Sequence, residues 1–248
     1  MFAISVESAP RTTVSTPWQI AALAFALTFP TVMTWLYFVV LAGSPSMQTA
    51  YSLGKAVQFG FPLAWVFWIQ RQRLRLNGPT LTGVAPGVLF GLAIAAATLA
   101  LYYGALAVSP ILADAPTQVR GKLADFGVDA GWKFLLLAAF YSIVHALLEE
   151  YYWRWFVFAQ LRALMPVGAA VAVSSTGFMA HHVLVIGVFL EDFGPATWFF
   201  SCCVAVGGAF WAWLYHRYHS LYPPWISHLL VDAGLMWVGY ELWRAAGG

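Results

Sequence analysis

Seven apolar runs dominate the 248-residue chain and constrain its fold more than any other feature. About 20 predominantly apolar residues suffice for a helix to cross a bilayer, and each run approaches or exceeds that length. They cover residues 18–41, 51–69, 84–108, 132–161, 167–190, 196–215 and 222–243. We therefore predict an all-α protein, a polytopic transmembrane helical bundle with about seven or eight spans.

Composition places the chain among membrane proteins. It is 61% hydrophobic and 9% charged, with a mean hydropathy of +0.74, and long uncharged runs in such a composition are typical of membrane-spanning chains. No hydrophilic stretch is long enough to form a second domain. We predict a polar N-terminal segment at 1–17 and a single transmembrane domain at 18–248.

The distribution of charge predicts orientation and excludes one class of partner. The net charge of +2 comes from 12 basic and 10 acidic residues, a balance too even to indicate a nucleic-acid partner. Basic residues in short loops mark the cytoplasmic side of a membrane protein. The strongest basic cluster lies at 70–75, which predicts a cytoplasmic N-terminus. We expect a multi-pass integral protein of a bacterial-type plasma membrane, with the lipid bilayer as its partner.

Two adjacent glutamates, Glu149 and Glu150, lie within the fourth run. A carboxylate at membrane depth costs about 2.5–3.5 kcal/mol on insertion scales, so folding alone does not require such a pair. Arg154 follows Glu150 by four residues, which places both on one helix face and predicts an ion pair. Glu149 points about 100° away, with His145 one turn back. A purely structural ion pair leaves Glu149 unexplained, and we predict that Glu149 faces a cavity as a base.

Two further spans carry ionisable residues. His181 and His182 are adjacent in the fifth run and face different directions, so we expect at most one of them to meet Glu149. His228 and Asp232, in the seventh run, are four residues apart and share a helix face. Each set alone is compatible with an ordinary hydrogen bond between helices. Three sets on three spans favour one shared polar site.

A carboxylate that converges with imidazoles suits more than one chemistry. The carboxylate can act as a general base on water, with imidazoles as proton partners or oxyanion stabilisers. Glu149, His182 and His228 also match a catalytic zinc ligand set. A non-catalytic protein, either a proton-coupled transporter or a membrane scaffold, would use similar groups. The sequence shows no internal repeat of the kind found in many transporters.

The three sets, in this order, resemble the motifs of the CPBP family (CAAX protease and bacteriocin-processing, or Abi) of intramembrane proteases, and are similar to those of type II CAAX prenyl endopeptidases. The resemblance rests on Glu-Glu-x-x-x-Arg at 149–154, Phe-x-x-x-His at 178–182 and His-x-x-x-Asp at 228–232. These motifs fall within a protease-like core at about 132–240. Each motif alone is weak, but the ordered set on three apolar helices is specific.

The resemblance implies an intramembrane endopeptidase that cleaves membrane-associated or prenylated-type protein substrates near the cytoplasmic leaflet. It implies that Glu149 and His182 activate water, and that His228 and Asp232 stabilise the oxyanion. No cofactor is firmly implied; a zinc-dependent metalloprotease, with zinc on Glu149, His182 and His228, is the alternative. The expected site has catalytic Glu149, His182, His228 and Asp232, with Glu150, Arg154 and His145 in support.

The sequence departs from the family pattern at three positions. Asp232 stands where type II CAAX prenyl endopeptidases have asparagine, and an ionised aspartate is a poor oxyanion donor, so Asp232 is either protonated or orients His228. Trp155 follows the arginine where small residues are common, which would narrow the cavity. His181 is an extra imidazole to which the resemblance assigns no role.

Overall fold

The computed structural model describes residues 3–6, 14–72, 74–77 and 81–247. Within these ranges the regular structure is helical, apart from two short antiparallel strands, β1 (Ala3–Val6) and β2 (Leu74–Asn77). The helices are α1 (Thr16–Val40), α2 (47–69), α3 (Val84–Val108, ending in a 3₁₀ turn), α4 (Ala115–Asp125), α5 (Gly131–Arg162), α6 (Val167–Leu190), α7 (Pro195–Tyr218) and α8 (Tyr222–Ala245). The predicted all-α transmembrane bundle is confirmed. Residues 1–2 and 7–13 of the polar N-terminal segment, and Arg73 of the basic cluster, lie outside the described residues.

The described residues do not confirm the predicted number of spans. In the part of the chain that the structure describes, five helices are long and apolar enough to cross a membrane, namely α1, α3, α5, α6 and α7. The predicted count of seven or eight is therefore not confirmed. The two remaining long helices carry polar residues that lower their mean hydropathy, Lys55 and Gln58 in α2 and His228 and Asp232 in α8.

Helix α5 changes geometry on both sides of the glutamate pair. It runs over 32 residues and widens to π-helical turns at Phe140–His145 and Tyr151–Phe158, around an α-helical turn at Ala146–Glu150. Such turns inside α-helices are frequent at functional sites. One carbonyl within the first widened turn, that of Ile143, accepts a hydrogen bond from the indole N–H of Trp225 in α8 at 2.8 Å. The interaction joins α8 to α5 between one and two turns before the glutamates.

The N-terminal helices hold α5 through tyrosine hydroxyls. Tyr152 donates to the carbonyl of Ala26 in α1 at 2.7 Å, and Tyr151 donates to the carbonyl of Phe59 in α2 at 3.2 Å. A hydroxyl in an apolar interior is costly unless it has a hydrogen-bond partner, so these contacts favour one position of the helix. The glutamates immediately precede the two tyrosines in the chain and are positioned with them.

Helix α8 approaches α3 through glycines. A β-carbon added at Gly91 would lie 2.7 Å from the carbonyl oxygen of Ser227, and one added at Gly87 would overlap the carbonyl of Pro223. Small residues at such points allow helix backbones to pack closely in lipid. Because Ser227 directly precedes His228, the close contact between α3 and α8 helps to determine where His228 lies relative to the other helices.

Candidate active site

The three predicted sets of ionisable residues converge between α5, α6 and α8. Glu149 of α5 lies 3.6 Å from His181 of α6 and 3.6 Å from His228 of α8. Asp232 lies 3.5 Å from His228 on the same helix. The side chain of Glu149 is 5% exposed and that of Asp232 is 17% exposed. The polar groups therefore form one largely buried cluster.

Three imidazoles surround the carboxylate of Glu149. Its Oε2 lies 3.9 Å from Nδ1 of His145 and 3.6 Å from Nε2 of His228. Its Oε1 lies 3.6 Å from Nε2 of His181. These distances exceed ordinary hydrogen bonds, but catalytic contacts are often long before substrate binds. The arrangement can accept a proton from water and pass it to a neighbouring imidazole.

Glu150 has two direct partners and a different role. Its Oε2 lies 3.1 Å from Nε of Arg154, and its Oε1 accepts a hydrogen bond from Nδ1 of His228 at 2.8 Å. The exposed fractions of the Arg154 and Glu150 side chains are 1% and 0%, where a charge is tolerated only if it is paired. The predicted ion pair is therefore present. The hydrogen bond that orients His228 was not indicated by the sequence.

Aromatic rings enclose the guanidinium of Arg154. It lies 4.8 Å from the ring centre of Phe178 and 5.1 Å from that of Trp211. Its Nη2 donates to the carbonyl of Gly208 at 3.4 Å. Cation–π contacts in a desolvated site are worth about 2 kcal/mol. These neighbours, together with Glu150, fix Arg154 in the interior.

His228 is held by α7 as well as by Glu150. Its ring stacks on Trp211, with centroids 4.0 Å apart and planes inclined by 18°. The indole N–H of Trp211 donates to Oγ of Ser227 at 3.0 Å. Because Nδ1 of His228 donates to Glu150, its Nε2 is the nitrogen that faces Asp232. The imidazole is thus presented to the cluster in one orientation.

Both adjacent histidines of α6 approach Glu149. Nδ1 of His182 lies 2.9 Å from the carbonyl oxygen of Phe178, and since a carbonyl only accepts, Nδ1 carries the proton and Nε2 keeps its lone pair. His181 stacks parallel to Trp153, with centroids 5.8 Å apart. Ligand atoms of Glu149, His181 and His182 lie within 4.8 Å of one another. The expectation that at most one of the two histidines meets Glu149 is therefore wrong, because both come within 4.8 Å of it.

The same three residues provide a test of the zinc alternative. In the ranges that the structure describes, Glu149, His181 and His182 are the group close enough to hold one metal ion, so His181 takes the place that the sequence gave to His228. One carboxylate and two imidazoles fit catalytic zinc. Metal-binding histidines usually donate their second N–H to a carbonyl or carboxylate. His182 does so, whereas Nδ1 of His181 is buried without a hydrogen-bond partner.

Sequence reasoning missed the contributions of α2 and α7. Trp211 stacks on His228, but a tryptophan in an apolar run carries no motif signal. Lys55 lies 3.5 Å from Nε2 of His145, and its charge inside an apolar run was the available signal. Trp155, which departs from the family pattern, is buried and stacks on the ring of a neighbouring tyrosine.

Comparison with known proteins agrees with the motifs. Residues 131–234 match the family model described as type II CAAX prenyl endopeptidase Rce1-like. Comparisons with curated proteins and with solved structures found no match. The matched segment contains α5, α6, α7 and the first half of α8, and therefore all three motifs. This match confirms the resemblance of residues 131–234 to the CAAX protease, or CPBP, family.

Proposed function

We propose that the protein is an intramembrane endopeptidase in which Glu149 activates a water molecule. The observation that carries the proposal is the buried Glu149 carboxylate among three imidazoles, beside a second carboxylate that already has a cationic partner in Arg154. Neutralisation of Glu150 leaves Glu149 as the carboxylate available for proton transfer. The family match supports hydrolysis of a peptide bond as the reaction.

The proposed reaction begins with a water molecule between Glu149 and His182. Glu149 takes a proton as the water oxygen forms a bond to the carbonyl carbon, which leaves negative charge on the former carbonyl oxygen. The lone pair on Nε2 of His182 accepts the second hydrogen bond of the water. The proton held by Glu149 then passes to the amide nitrogen as the carbon–nitrogen bond breaks.

We assign stabilisation of the oxyanion to His228, with Asp232 as the residue that orients it. In the imidazolium form, His228 donates from Nδ1 to Glu150 and presents Nε2–H to the reacting oxygen. Asp232 lies 3.5 Å from Nε2 and is placed to orient the ring. This role accounts for an aspartate where the resembled family has asparagine, because the residue then orients a donor and need not donate.

We propose prenylated or otherwise membrane-associated proteins as substrates, cut near the cytoplasmic leaflet. The matched family takes its name from the cleavage of prenylated CAAX proteins. Burial of Glu149 between membrane-spanning helices supports this class, because the scissile bond has to enter the bundle to reach it. A lipid-modified tail is already anchored in the bilayer.

The test uses purified protein in liposomes and a farnesylated peptide that ends in a CAAX sequence. Mass spectrometry should detect release of the C-terminal tripeptide by the parent and by Glu241→Gln, a control at the far end of α8. Glu149→Gln should release none. Release by Glu149→Gln at the parental rate would overturn the assignment of the base. Absence of cleavage by the parent, with or without the farnesyl group, would overturn the substrate class.

Zinc-dependent hydrolysis is a second candidate, favoured by the close approach of Glu149, His181 and His182. When bound, zinc supplies a Lewis acid and an acidified water molecule. These three residues would hold the ion. His228 and Asp232 would keep their roles at the oxyanion, since neither belongs to that ligand group.

A further inference from the structure

The polar cluster extends beyond the family-matched segment into α2. Nζ of Lys55 lies 3.5 Å from Nε2 of His145 and 3.4 Å from Oε1 of Gln58. His145 in turn faces Glu149, with 3.9 Å between Nδ1 and Oε2. Lys55 therefore lies outside residues 131–234, but it is connected through His145 to Glu149, the proposed catalytic residue within them.

The chemistry of Lys55 and His145 determines which of the two donates the hydrogen bond between them. A lysine ammonium only donates hydrogen bonds, so Nε2 of His145 has to accept. The remaining proton of a neutral His145 is then on Nδ1, the nitrogen that faces Glu149. Lys55 therefore selects the histidine tautomer that presents a donor to the carboxylate.

Aromatic side chains surround Lys55 and His145 and reduce their contact with water. Nζ of Lys55 lies 5.5 Å from the ring centre of Phe59 and 5.8 Å from that of Tyr51. The rings of Tyr141 and His145 have centroids 4.8 Å apart. Electrostatic interactions are stronger where water is excluded. A cation held in this way on α2 can act on Glu149 even without touching it.

We propose that Lys55 is a positioning residue for Glu149 and acts through His145. Its ammonium holds the imidazole in the Nδ1–H tautomer, and that donor keeps the Glu149 carboxylate aimed at the water molecule. The proposal rests on the proposed function in treating Glu149 as the base. It assigns to α2 a part in the active site that no sequence motif covers.

The first test does not depend on proteolysis. Thermal unfolding is measured for the purified parent, Lys55→Met, Glu149→Gln and the double variant. Lys55→Met should lower the melting temperature clearly more in the parent than in the Glu149→Gln background. That background no longer has the carboxylate that Lys55 is proposed to position. Equal shifts in the two backgrounds would mean that the residues are uncoupled and would overturn the proposal.

The second test separates positioning from substrate binding. With the farnesylated peptide, Lys55→Met should lower kcat by about tenfold or more with little change in KM, since small misplacement of a reacting group is costly. Lys55→Arg should recover part of the loss. In a His145→Ala background, Lys55→Met should cause no further loss. A rise in KM alone would overturn the proposal and make Lys55 a substrate contact.

Lys133→Met is the matched control. Lys133 is a partly exposed lysine paired with Asp129 at 2.7 Å at the start of α5, and its loss should leave both kcat and KM unchanged. If the parent cleaves no peptide, the proposed substrate class fails while the thermal cycle still decides the coupling between Lys55 and Glu149. The two failures are thus distinguishable.

Discussion

Glu150 of α5 accepts a hydrogen bond from Nδ1 of His228 of α8 at 2.8 Å, in an interior where Glu150 is fully buried. The same carboxylate is paired with Arg154 through its other oxygen. It therefore links the ion pair of α5 to the imidazole that we assign to the oxyanion. Charge-assisted hydrogen bonds of this kind are shorter and stronger than neutral ones, which makes Glu150 the residue that joins two motifs into one site.

Glu149→Gln should abolish cleavage and leave the fold intact. The amide keeps the size of the side chain but cannot take a proton from water, and general-base catalysis contributes about 10²–10⁴-fold. The measurement is the rate of tripeptide release, with Glu241→Gln as the control, together with melting temperatures. Near-parental turnover by a well-folded Glu149→Gln would reject the general-base role.

Arg154→Met should impair folding more than chemistry. It leaves the buried Glu150 without its cation, and removal of one partner from a buried pair costs about 3–5 kcal/mol. Unfolding of the purified variant in detergent should show a large loss of stability relative to Arg217→Met, a control at the end of α7. If Arg154→Met melts with the parent yet is inactive, Arg154 acts on the substrate instead.

His182→Ala should reduce activity much more than His181→Ala. His182 has its Nε2 lone pair fixed by the bond from Nδ1 to a backbone carbonyl, whereas His181 stacks on Trp153. Rates and melting temperatures of the two variants are measured side by side. Equal losses of activity at equal stability would instead favour a shared metal ion on both histidines.

Activity should persist without bound transition metal. In the proposed mechanism Glu149 alone activates the water, so prolonged treatment with a chelator should leave the cleavage rate unchanged. Elemental analysis of the active, chelator-treated protein checks that no metal remains. Stoichiometric zinc whose removal ends activity, and whose return restores it, would make Glu149, His181 and His182 its ligands.

Gly91→Ala should displace His228 and reduce activity. The new β-carbon would lie 2.7 Å from the backbone carbonyl oxygen of Ser227, a contact that only a movement of α3 and α8 relative to each other can relieve. A displacement of about 1 Å can cost about 10²-fold in rate. Gly60→Ala is the control, because nothing lies within 4 Å of its added β-carbon. Parental activity in Gly91→Ala would show that α3 does not determine the position of α8.

The sequence predicted what lies within one helix better than what lies between helices. The spacing of four between Glu150 and Arg154 predicted their ion pair, because neighbours on a helix face are fixed by helix geometry. The bond from His228 to Glu150 crosses from α8 to α5 and depends on packing that no spacing encodes. His181 escaped assignment for the same reason, since its proximity to Glu149 depends on the direction from which α5 approaches α6.

The close packing of α3 on α8 has a consequence for the modularity of the protein. The family-matched segment begins at residue 131, yet Gly87 and Gly91, which receive the backbone of α8, precede it. The three motifs and the glycines that contact α8 therefore lie in different halves of the chain. A fragment that starts at residue 131 would retain every motif but would lack α3, the helix on which α8 packs. Transplanting the motifs into another bundle would require a matching row of small residues on its partner helix.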